Sequence, residues 1–196
     1  MREQIKRLFL DCDECKISSL YANNVHHADQ LIETYGQYWE GYKYSLNEGT
    51  GWDSNIGWYV TFIRPWAKEF LKWSQDTYGR DNVYFLTMGT ADYIFKMNSL
   101  LKFDIENDHI LTREDIHYPR YNFDDSNNVL VDNENYQYHS FGNGLNKVNF
   151  LSGLPPQKLV QVKHFDVRYF KPKNDNGYVE HVKKEIIKAF EWKYES

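Results

Sequence analysis

Cysteine is scarce in this chain, and long apolar runs are absent. Cys12 and Cys15 are the two cysteines among 196 residues. They lie too close together to cross-link distant parts of a fold, which is typical of a reducing compartment. No segment approaches the roughly 18 consecutive apolar residues of a membrane span, and the first residues lead into an apolar strand rather than a signal peptide. The sequence therefore predicts a cytoplasmic protein with no membrane partner.

A strong charge of one sign is also missing. The net charge is −5, with 26% charged and 41% hydrophobic residues, which is ordinary for a soluble globular protein and argues against one that coats nucleic acid. Residues 104–134 carry nine acids and two arginines, whereas residues 158–193 carry nine basic residues and five acids. We interpret both regions as solvated surface. The aromatic content of 17% is high and indicates an aromatic-rich surface or ligand pocket.

The length allows one large core with a small appended lobe. We expect a single domain over residues 1–196, with a cap or insert at 20–57 and a C-terminal strand and helix at 158–196. The insert is rich in Tyr, Trp, Gly and Asn, and it has only weak periodicity, between residues 26 and 39. This pattern predicts a partly helical insertion rather than a sheet.

Short apolar runs alternate with helical patterns along the rest of the chain. Strands are predicted at 7–10, 83–86, 109–111, 129–131 and, less sharply, 158–170. Helices are predicted from Arg64-Pro65 to near Gly79, over 91–101, and in the tail, where Val179, Val182, Ile186 and Phe190 share one face. This alternation predicts an α/β fold with a mainly parallel sheet.

Three of the predicted strands end in residues suited to phosphate chemistry. Asp11 and Asp13 follow the first strand, Thr87 follows the second, and Asp132 with Asn133 follows the fourth. The carboxyl ends of parallel strands meet at one edge of a sheet, where α/β proteins place their chemistry. Carboxylates at that edge suit Mg²⁺, which prefers oxygen ligands, and a carboxylate beside the cation can attack phosphorus.

The motifs that contain these residues resemble those of the haloacid dehalogenase (HAD) superfamily. Residues 8–15 read Leu-Phe-Leu-Asp-Cys-Asp-Glu-Cys, residues 85–90 read Phe-Leu-Thr-Met-Gly-Thr, and residues 129–133 read Val-Leu-Val-Asp-Asn. Together with Arg64-Pro65 and the Thr-Arg-Glu-Asp segment at 112–115, they are most similar to phosphatases of the RNA polymerase C-terminal domain. The resemblance implies a HAD-like Rossmannoid three-layer sandwich with a mainly parallel sheet and a small cap insertion.

The resemblance also implies roles for individual residues. Asp11 would form an aspartyl-phosphate, and Asp13 would protonate the leaving oxygen and later activate water. Thr87 would bind phosphoryl oxygens. Asp132 would join Asp11 and the main-chain carbonyl of Asp13 around Mg²⁺. We therefore expect a Mg²⁺-dependent phosphomonoester hydrolase.

Two positions depart from the family pattern. Cys15 stands where the first motif usually ends in Thr, and a thiol is a weaker hydrogen-bond partner than a hydroxyl. No lysine lies between Thr112 and Asp132, where the family places a cation beside the nucleophile. Arg120, Arg113 and, less readily, His117 are the candidates for that cation. A guanidinium can bind phosphate oxygens bidentately, and the order along the chain favours Arg120.

Several alternatives stay open on the sequence alone. The Cys-x-x-Cys spacing at 12–15 also fits a redox or zinc site that would need His26 and His27. The substrate could be a nucleotide, as for the 5'-deoxyribonucleotidases that the insert and residues 110–113 resemble, a nucleic-acid end bound by the basic tail, or a phosphopeptide. A catalytically silent HAD-fold binding protein is a further reading. The oligomeric state cannot be read from the sequence.

Overall fold

The computed structural model describes residues 5–48, 55–117, 127–134, 143–151 and 153–193. Within these ranges the strands are β1 (Arg7–Leu10), β2 (Ile17–Ala22), β3 (Glu40–Glu48), β4 (Asn55–Ile63), β5 (Val83–Leu86), β6 (Ile110–Leu111), β7 (Asn128–Asp132) and β8 (Leu159–Gln161). The helices are α1 (Val25–Tyr35), α2 (Ala67–Tyr78), α3 (Ala91–Leu101), α4 (Arg113–His117), α5 (Asn143–Phe150) and α6 (Tyr178–Glu191). None of the helices in the described part of the chain is long and apolar enough to cross a bilayer.

The larger sheet has the strand order β6-β5-β1-β7-β8, and each neighbouring pair is parallel. Its central strand is apolar on both faces, because Leu8 and Leu10 enter one core cluster and Phe9 enters another on the opposite side. Helices cover both faces, which explains why the central strands read as continuous apolar runs instead of alternating ones. The predicted parallel α/β sheet is confirmed.

Two of the predicted helices begin and end near their sequence signals. Helix α2 starts just after the Arg64-Pro65 step and ends before Gly79, whose φ of 88° favours glycine. Helix α6 buries Val182, Ile186 and Phe190 along one stripe, as the spacing in the tail predicts.

A second, antiparallel sheet has the strand order β2-β4-β3. The sequence expectation of a partly helical insertion rather than a sheet was wrong for most of this segment, since α1 is the one helix among its described residues, 20–48 and 55–57. The register pairs Ser19 with Thr61 and Tyr21 with Tyr59. One face, which includes Val60 and Phe62, packs in a cluster with α1. The other face carries the tyrosine and hydroxyl side chains.

The small sheet is joined to the parallel sheet at closely spaced points. Strand β2 begins six residues after Asp11, and β4 ends just before the Arg64-Pro65 step. Ile17 and Ile63, at these two ends, are paired neighbours in the register, and both are buried in the core cluster that contains Leu8. The chain therefore leaves the core and returns to it side by side.

The predicted strand at 158–170 is shorter than expected, because β8 ends at Gln161. The chain beyond it packs without regular structure against the loop after β1. Val162 donates its N–H to the carbonyl of Asp132, and Phe165 donates to the carbonyl of Glu14. These bonds replace a longer strand and attach the C-terminal region to the edge of the sheet where the motifs end.

A buried arginine reinforces this attachment. Arg64 is fully buried, and its guanidinium donates to both carboxylate oxygens of Asp175 at 2.8–3.1 Å. The same group donates to the carbonyls of Cys15, at 2.9 Å, and Lys163, at 2.8 Å. Arg64 thus links the loop after β1 to two parts of the C-terminal region, and bidentate geometry makes such pairs strong.

Candidate functional site

The sequence-predicted site residues meet at the carboxyl edge of the parallel sheet, in a cavity of about 1190 Å³. Its lining includes Asp11 and Asp13 after β1, Thr87 after β5, Asp132 at the end of β7 and Arg113 at the start of α4. The structure therefore brings these five side chains to one place. Arg120 lies outside the described residues, as does the side chain of His117.

The carboxylate of Asp11 is buried and paired with a lysine that the sequence analysis missed. Nζ of Lys147 donates to Oδ1 of Asp11 and to Oδ2 of Asp132, each at 2.7 Å. Burial, followed by the nearby charge of Asp132, raises the pKa of Asp11 to about 7. Burial alone would lower the pKa of Lys147, but the two carboxylates raise it above its ordinary value. Lys147 is therefore a protonated cation in direct contact with Asp11, the candidate nucleophile.

The second oxygen of Asp11 faces a different group. The side-chain amide of Asn133 lies 3.2 Å from Oδ2 of Asp11 and from the main-chain oxygen of Asp13, and its other end lies 3.2 Å from Nδ1 of His164. With its nitrogen toward the aspartates, the amide donates to both oxygens. With its oxygen toward them, Oδ2 of Asp11, the main-chain oxygen of Asp13 and the amide oxygen of Asn133 face one another with no hydrogen between them. A hard cation requires such a set of oxygen donors. Asp11, Asp13 and Asn133 therefore fit Mg²⁺.

Thr87 is almost fully buried, and its position is set from two sides. Its N–H donates to the carbonyl of Leu111 at 2.9 Å, and its Oγ1 accepts from the N–H of Gly89 at 3.0 Å. Because the hydroxyl oxygen is already an acceptor, its proton points away from that bond. The hydroxyl can therefore donate to an anionic oxygen in the cavity.

Asp13 lies two residues beyond Asp11 and accepts a hydrogen bond at Oδ1 from the hydroxyl of Tyr93 in α3. Burial raises the pKa of Asp13 above its ordinary value, and the bond from Tyr93 opposes that rise. A carboxyl group with a raised pKa can keep its proton nearer to neutral pH, as a general acid must.

Comparison with known proteins gives one clear result. Neither a protein-family model nor a curated protein sequence matches the chain. Among solved structures, it resembles a variant of fission yeast RNA polymerase II CTD phosphatase Fcp1 bound to beryllium fluoride, with a TM-score of 0.61 and 17% identity over 95% of this chain and 50% of that one. A structure of Fcp1 described as an essential RNA polymerase II CTD phosphatase gives 0.59 and 15%, over 94% and 50%. The chain has the HAD fold. It spans about half the length of these structures.

In this HAD fold the cation beside Asp11 comes from an unexpected part of the chain. Lys147 lies 15 residues after Asp132, whereas the resemblance places the lysine before that aspartate. Arg113 lines the same cavity, but its Nε donates to the carbonyl of Met88 at 2.9 Å and so supports the loop after β5. Among the described residues, Lys147 is the cation bonded to the carboxylate of Asp11.

Cys15, the residue in place of the usual Thr, is fully buried. Its Sγ lies 3.4 Å from Nζ of Lys16, which is also fully buried and donates to the carbonyl of Asp11. Burial raises the pKa of Cys15 to about 11 and the pKa of Cys12 well above its ordinary value. Raised thiol pKa values leave little thiolate for redox chemistry or metal binding.

The zinc alternative finds no support in the described part of the chain. Cys12 and Cys15 are buried free thiols. On α1, His26 contacts the side chain of Gln30, and His27 accepts from the N–H of Asn23, which precedes the helix. Among the described residues, the one cluster of three His, Cys, Asp or Glu side chains with their ligand atoms close together is Glu106, Asp108 and His109. It precedes β6, on the sheet edge opposite the cavity.

The lining of the cavity combines aromatic and charged side chains. The small sheet contributes Tyr21 and Tyr59, whose rings meet edge to face with centroids 5.5 Å apart. Lys96 of α3 and Arg113 of α4 contribute positive charge. Acidic groups also line the cavity, namely Asp11, Asp13, Glu14, Asp92, Asp132 and Glu134. The cavity therefore offers aromatic rings together with both signs of charge.

Proposed function

We propose that this protein is a phosphomonoester hydrolase that acts through an aspartyl-phosphate on Asp11. The observation that supports this proposal is that the two carboxylate oxygens of Asp11 have different partners. Oδ1 is bonded to the ammonium of Lys147, and Oδ2 faces the oxygen of Asp13 and the amide of Asn133. One oxygen is thus placed to attack phosphorus beside a fixed cation, while the other is placed to share a metal ion.

In the first step, Oδ1 of Asp11 attacks phosphorus and the bond from phosphorus to the ester oxygen breaks. Asp13 gives its proton to that oxygen, and the alcohol leaves. In the second step, Asp13 takes a proton from water, whose oxygen attacks phosphorus and breaks the bond to Asp11. Phosphate leaves, and both aspartates return to their starting states. The raised pKa of Asp13 suits both proton transfers.

Two other side chains stabilise the charge that develops on the phosphoryl oxygens. The ammonium of Lys147 is fixed by two carboxylates before the substrate arrives, so little reorganisation is needed during the reaction. The hydroxyl of Thr87 has its oxygen held by Gly89 and directs its proton into the cavity. Arg113, which lines the cavity, and Arg120, which lies outside the described residues, stay candidates for binding the substrate's oxygens.

We further propose that Mg²⁺ is the cofactor, held by Asp11, the main-chain oxygen of Asp13 and Asn133. When bound, the ion would neutralise charge on the phosphoryl group. Asp132, which the resemblance names as a ligand, is bonded to the ammonium of Lys147 and stays a further candidate ligand. His164 accepts from the Asn133 amide in the cation-bound orientation and so fixes its direction.

The cavity supports a substrate with one phosphate and a largely neutral body. Six acidic side chains in its lining would repel the backbone of a nucleic acid, which argues against a polynucleotide end. The Tyr21 and Tyr59 rings offer a surface for an apolar or aromatic group next to the phosphate. A phosphopeptide is the preferred substrate class, because the structures that share the fold are described as CTD phosphatases. A mononucleotide is the second candidate.

The test is release of inorganic phosphate from p-nitrophenyl phosphate, deoxynucleoside monophosphates, 3'-phosphorylated oligonucleotides and phosphoserine peptides, with and without Mg²⁺. We expect Mg²⁺-dependent release that Asp11→Asn abolishes, and the preferred member of the panel names the substrate class. Binding of beryllium fluoride, followed by fluorine NMR, gives a second readout that must also require Asp11. No release and no bound fluoride signal would identify a binding protein on a phosphatase fold.

The metal proposal has its own test, which is titration of Mg²⁺ by calorimetry. Asn133→Ala removes one of the three converging oxygens and should weaken Mg²⁺ binding by about 10–100-fold. Asn149→Ala, an exposed asparagine on α5, is the matched control and should bind Mg²⁺ as the wild type does. Equal affinity in both variants would contradict the proposed ligand set.

A further inference from the structure

A series of hydroxyl groups connects the small sheet to Asp13. The hydroxyl of Tyr93 contacts Oδ1 of Asp13 and lies 2.6 Å from Oγ of Ser19. Ser19 in turn lies 2.6 Å from Oγ1 of Thr61, which lies 2.9 Å from the hydroxyl of Tyr44. Four elements supply these groups, namely α3 and the three strands of the small sheet. The series ends on the residue proposed as the general acid.

The chemistry of the groups fixes the direction of the series. A carboxylate only accepts, so Tyr93 must give its single proton to Asp13. Its oxygen is then left as an acceptor for Ser19. The same reasoning makes Thr61 the donor to Ser19, and Tyr44 the donor to Thr61. All four protons thus point toward Asp13, and hydrogen bonds aligned in this way strengthen one another.

This direction has a consequence for the acid form of Asp13. The carbonyl oxygen of a carboxyl group is a better acceptor than its hydroxyl oxygen, so the bond from Tyr93 to Oδ1 favours a proton on Oδ2. Oδ2 is then the oxygen that can reach the ester oxygen of a substrate.

We propose that Tyr93 is a positioning residue that holds Asp13 with its protonated oxygen toward the leaving group, and that Ser19 and Thr61 hold Tyr93 in turn. This inference rests on the proposed phosphatase function. It assigns the small sheet a part in proton transfer as well as in lining the cavity. Tyr93 itself touches no reacting atom and acts through Asp13.

The test is the dependence of the first chemical step on the leaving group. Tyr93→Phe keeps the ring and removes the hydroxyl. In single-turnover experiments with excess enzyme, it should slow release of phenol from phenyl phosphate by about 10–100-fold, because protonation of this leaving group depends on a well-placed acid. Release of dinitrophenol from dinitrophenyl phosphate should change less than about twofold, since that leaving group needs little protonation.

A matched control separates this effect from general damage to the protein. Tyr38→Phe removes a hydroxyl from a tyrosine that is 61% exposed, and it should match the wild type with both esters. Equal slowing of both esters by Tyr93→Phe would overturn the inference and assign Tyr93 a purely structural role. If Tyr93→Phe does not fold, Ser19→Ala carries the same test, with the same selectivity and a smaller loss expected.

A double-mutant cycle completes the design. If Tyr93 acts through Asp13, then Tyr93→Phe should cause no further loss in an Asp13→Asn background. An additional loss of tenfold or more would overturn the inference. Wild-type enzyme that hydrolyses neither ester refutes the proposed function itself, whereas wild-type hydrolysis with no selective effect of Tyr93→Phe refutes only the positioning role.

Discussion

Nζ of Lys147 lies 2.7 Å from Oδ1 of Asp11, although 136 positions separate the two residues in the chain. The pair joins the first strand of the parallel sheet to a short helix beyond the last motif. Both side chains are almost fully buried. Their contact therefore depends on how the helices pack around the parallel sheet rather than on local sequence. Lys147 is consequently the side chain whose removal tests the proposed site most directly.

Lys147→Met should lower kcat/KM for phosphate esters by about 100–1000-fold, which is typical for loss of one fixed donor to a developing anion. Lys147→Arg should retain part of the activity, because it keeps the charge but changes the geometry. Steady-state kinetics with p-nitrophenyl phosphate provide the measurement.

Lys171→Met changes an exposed lysine outside the cavity and is the matched control. It should leave kcat/KM unchanged. If Arg113→Met abolished activity while Lys147→Met preserved it, then Arg113 would be the cation that acts on the phosphate.

Asp11→Asn should stabilise the metal-free protein at pH 8. The pKa of Asp11 is raised to about 7 in the fold from about 4 in an unfolded chain. The folded state therefore disfavours the charged form, and this group costs stability progressively as pH rises from about 4 to 7. The amide variant avoids that cost, and each kcal/mol regained raises Tm by about 2–4 °C in a protein of this size.

The same melting experiment includes Mg²⁺. Added Mg²⁺ should raise the Tm of the wild type by mass action and have a much smaller effect on Asp11→Asn. The Tm difference between variant and wild type should shrink at pH 4, where Asp11 is protonated in the folded state and about half protonated in the unfolded state. An equal Mg²⁺ effect on both proteins would place the metal elsewhere.

The two cysteines should resist alkylation in the native protein. Both are buried, and the pKa of Cys15 is raised to about 11, so the thiolate that reacts with iodoacetamide is scarce at pH 8. Intact mass after timed exposure should show no adduct in buffer and two adducts in denaturant. Rapid labelling of the folded protein would revive the redox interpretation of the Cys-x-x-Cys spacing.

Loss of the buried ion pair should destabilise the fold strongly. Asp175→Ala leaves the guanidinium of Arg64 buried without its carboxylate, and removal of one partner of such a pair costs about 3–5 kcal/mol. Urea denaturation at pH 7 measures the free energy of unfolding.

Asp104→Ala provides the comparison, since Asp104 pairs with Arg80 at 2.9 Å but both side chains are more than half exposed. It should cost less than about 1 kcal/mol. A similar cost for the two variants would mean that Arg64 is accessible to water in solution.

Much of the fold and part of the site could be predicted from the sequence. Apolar runs mark β1, β5 and β7 because both of their faces are buried, and the polar residue after each run marks the edge that carries the cavity. The small sheet was missed since glycine and asparagine interrupt its pattern. Tyr42, Tyr44 and Leu46 lie on one side of β3. The large side chains of this strand therefore alternate with a period of two, in spite of the glycine and asparagine residues near them.

Lys147 was missed for a different reason. Its helix, α5, contains several asparagines and a glycine, which are typical of loops, and the family order directs attention to residues before Asp132. The apolar neighbours Val148 and Leu151 predict that Lys147 is buried, and a buried lysine is rarely without a charged partner. This pattern is the signal that could have indicated its role. The contact itself depends on long-range packing that no local pattern contains.

The side-by-side pairing of Ile17 and Ile63 has a consequence for how proteins with this fold diversify. A segment whose first and last residues are neighbours can be replaced by another segment without a change in the path of the chain through the rest of the core. Selectivity could thus change by replacement of the tyrosine-bearing sheet, without alteration of Asp11 or Lys147. If the Tyr93 inference holds, a replacement sheet must also keep hydroxyl side chains at the positions of Ser19 and Thr61. Without them Tyr93 would no longer be held against Asp13, and proton transfer to the leaving group would slow.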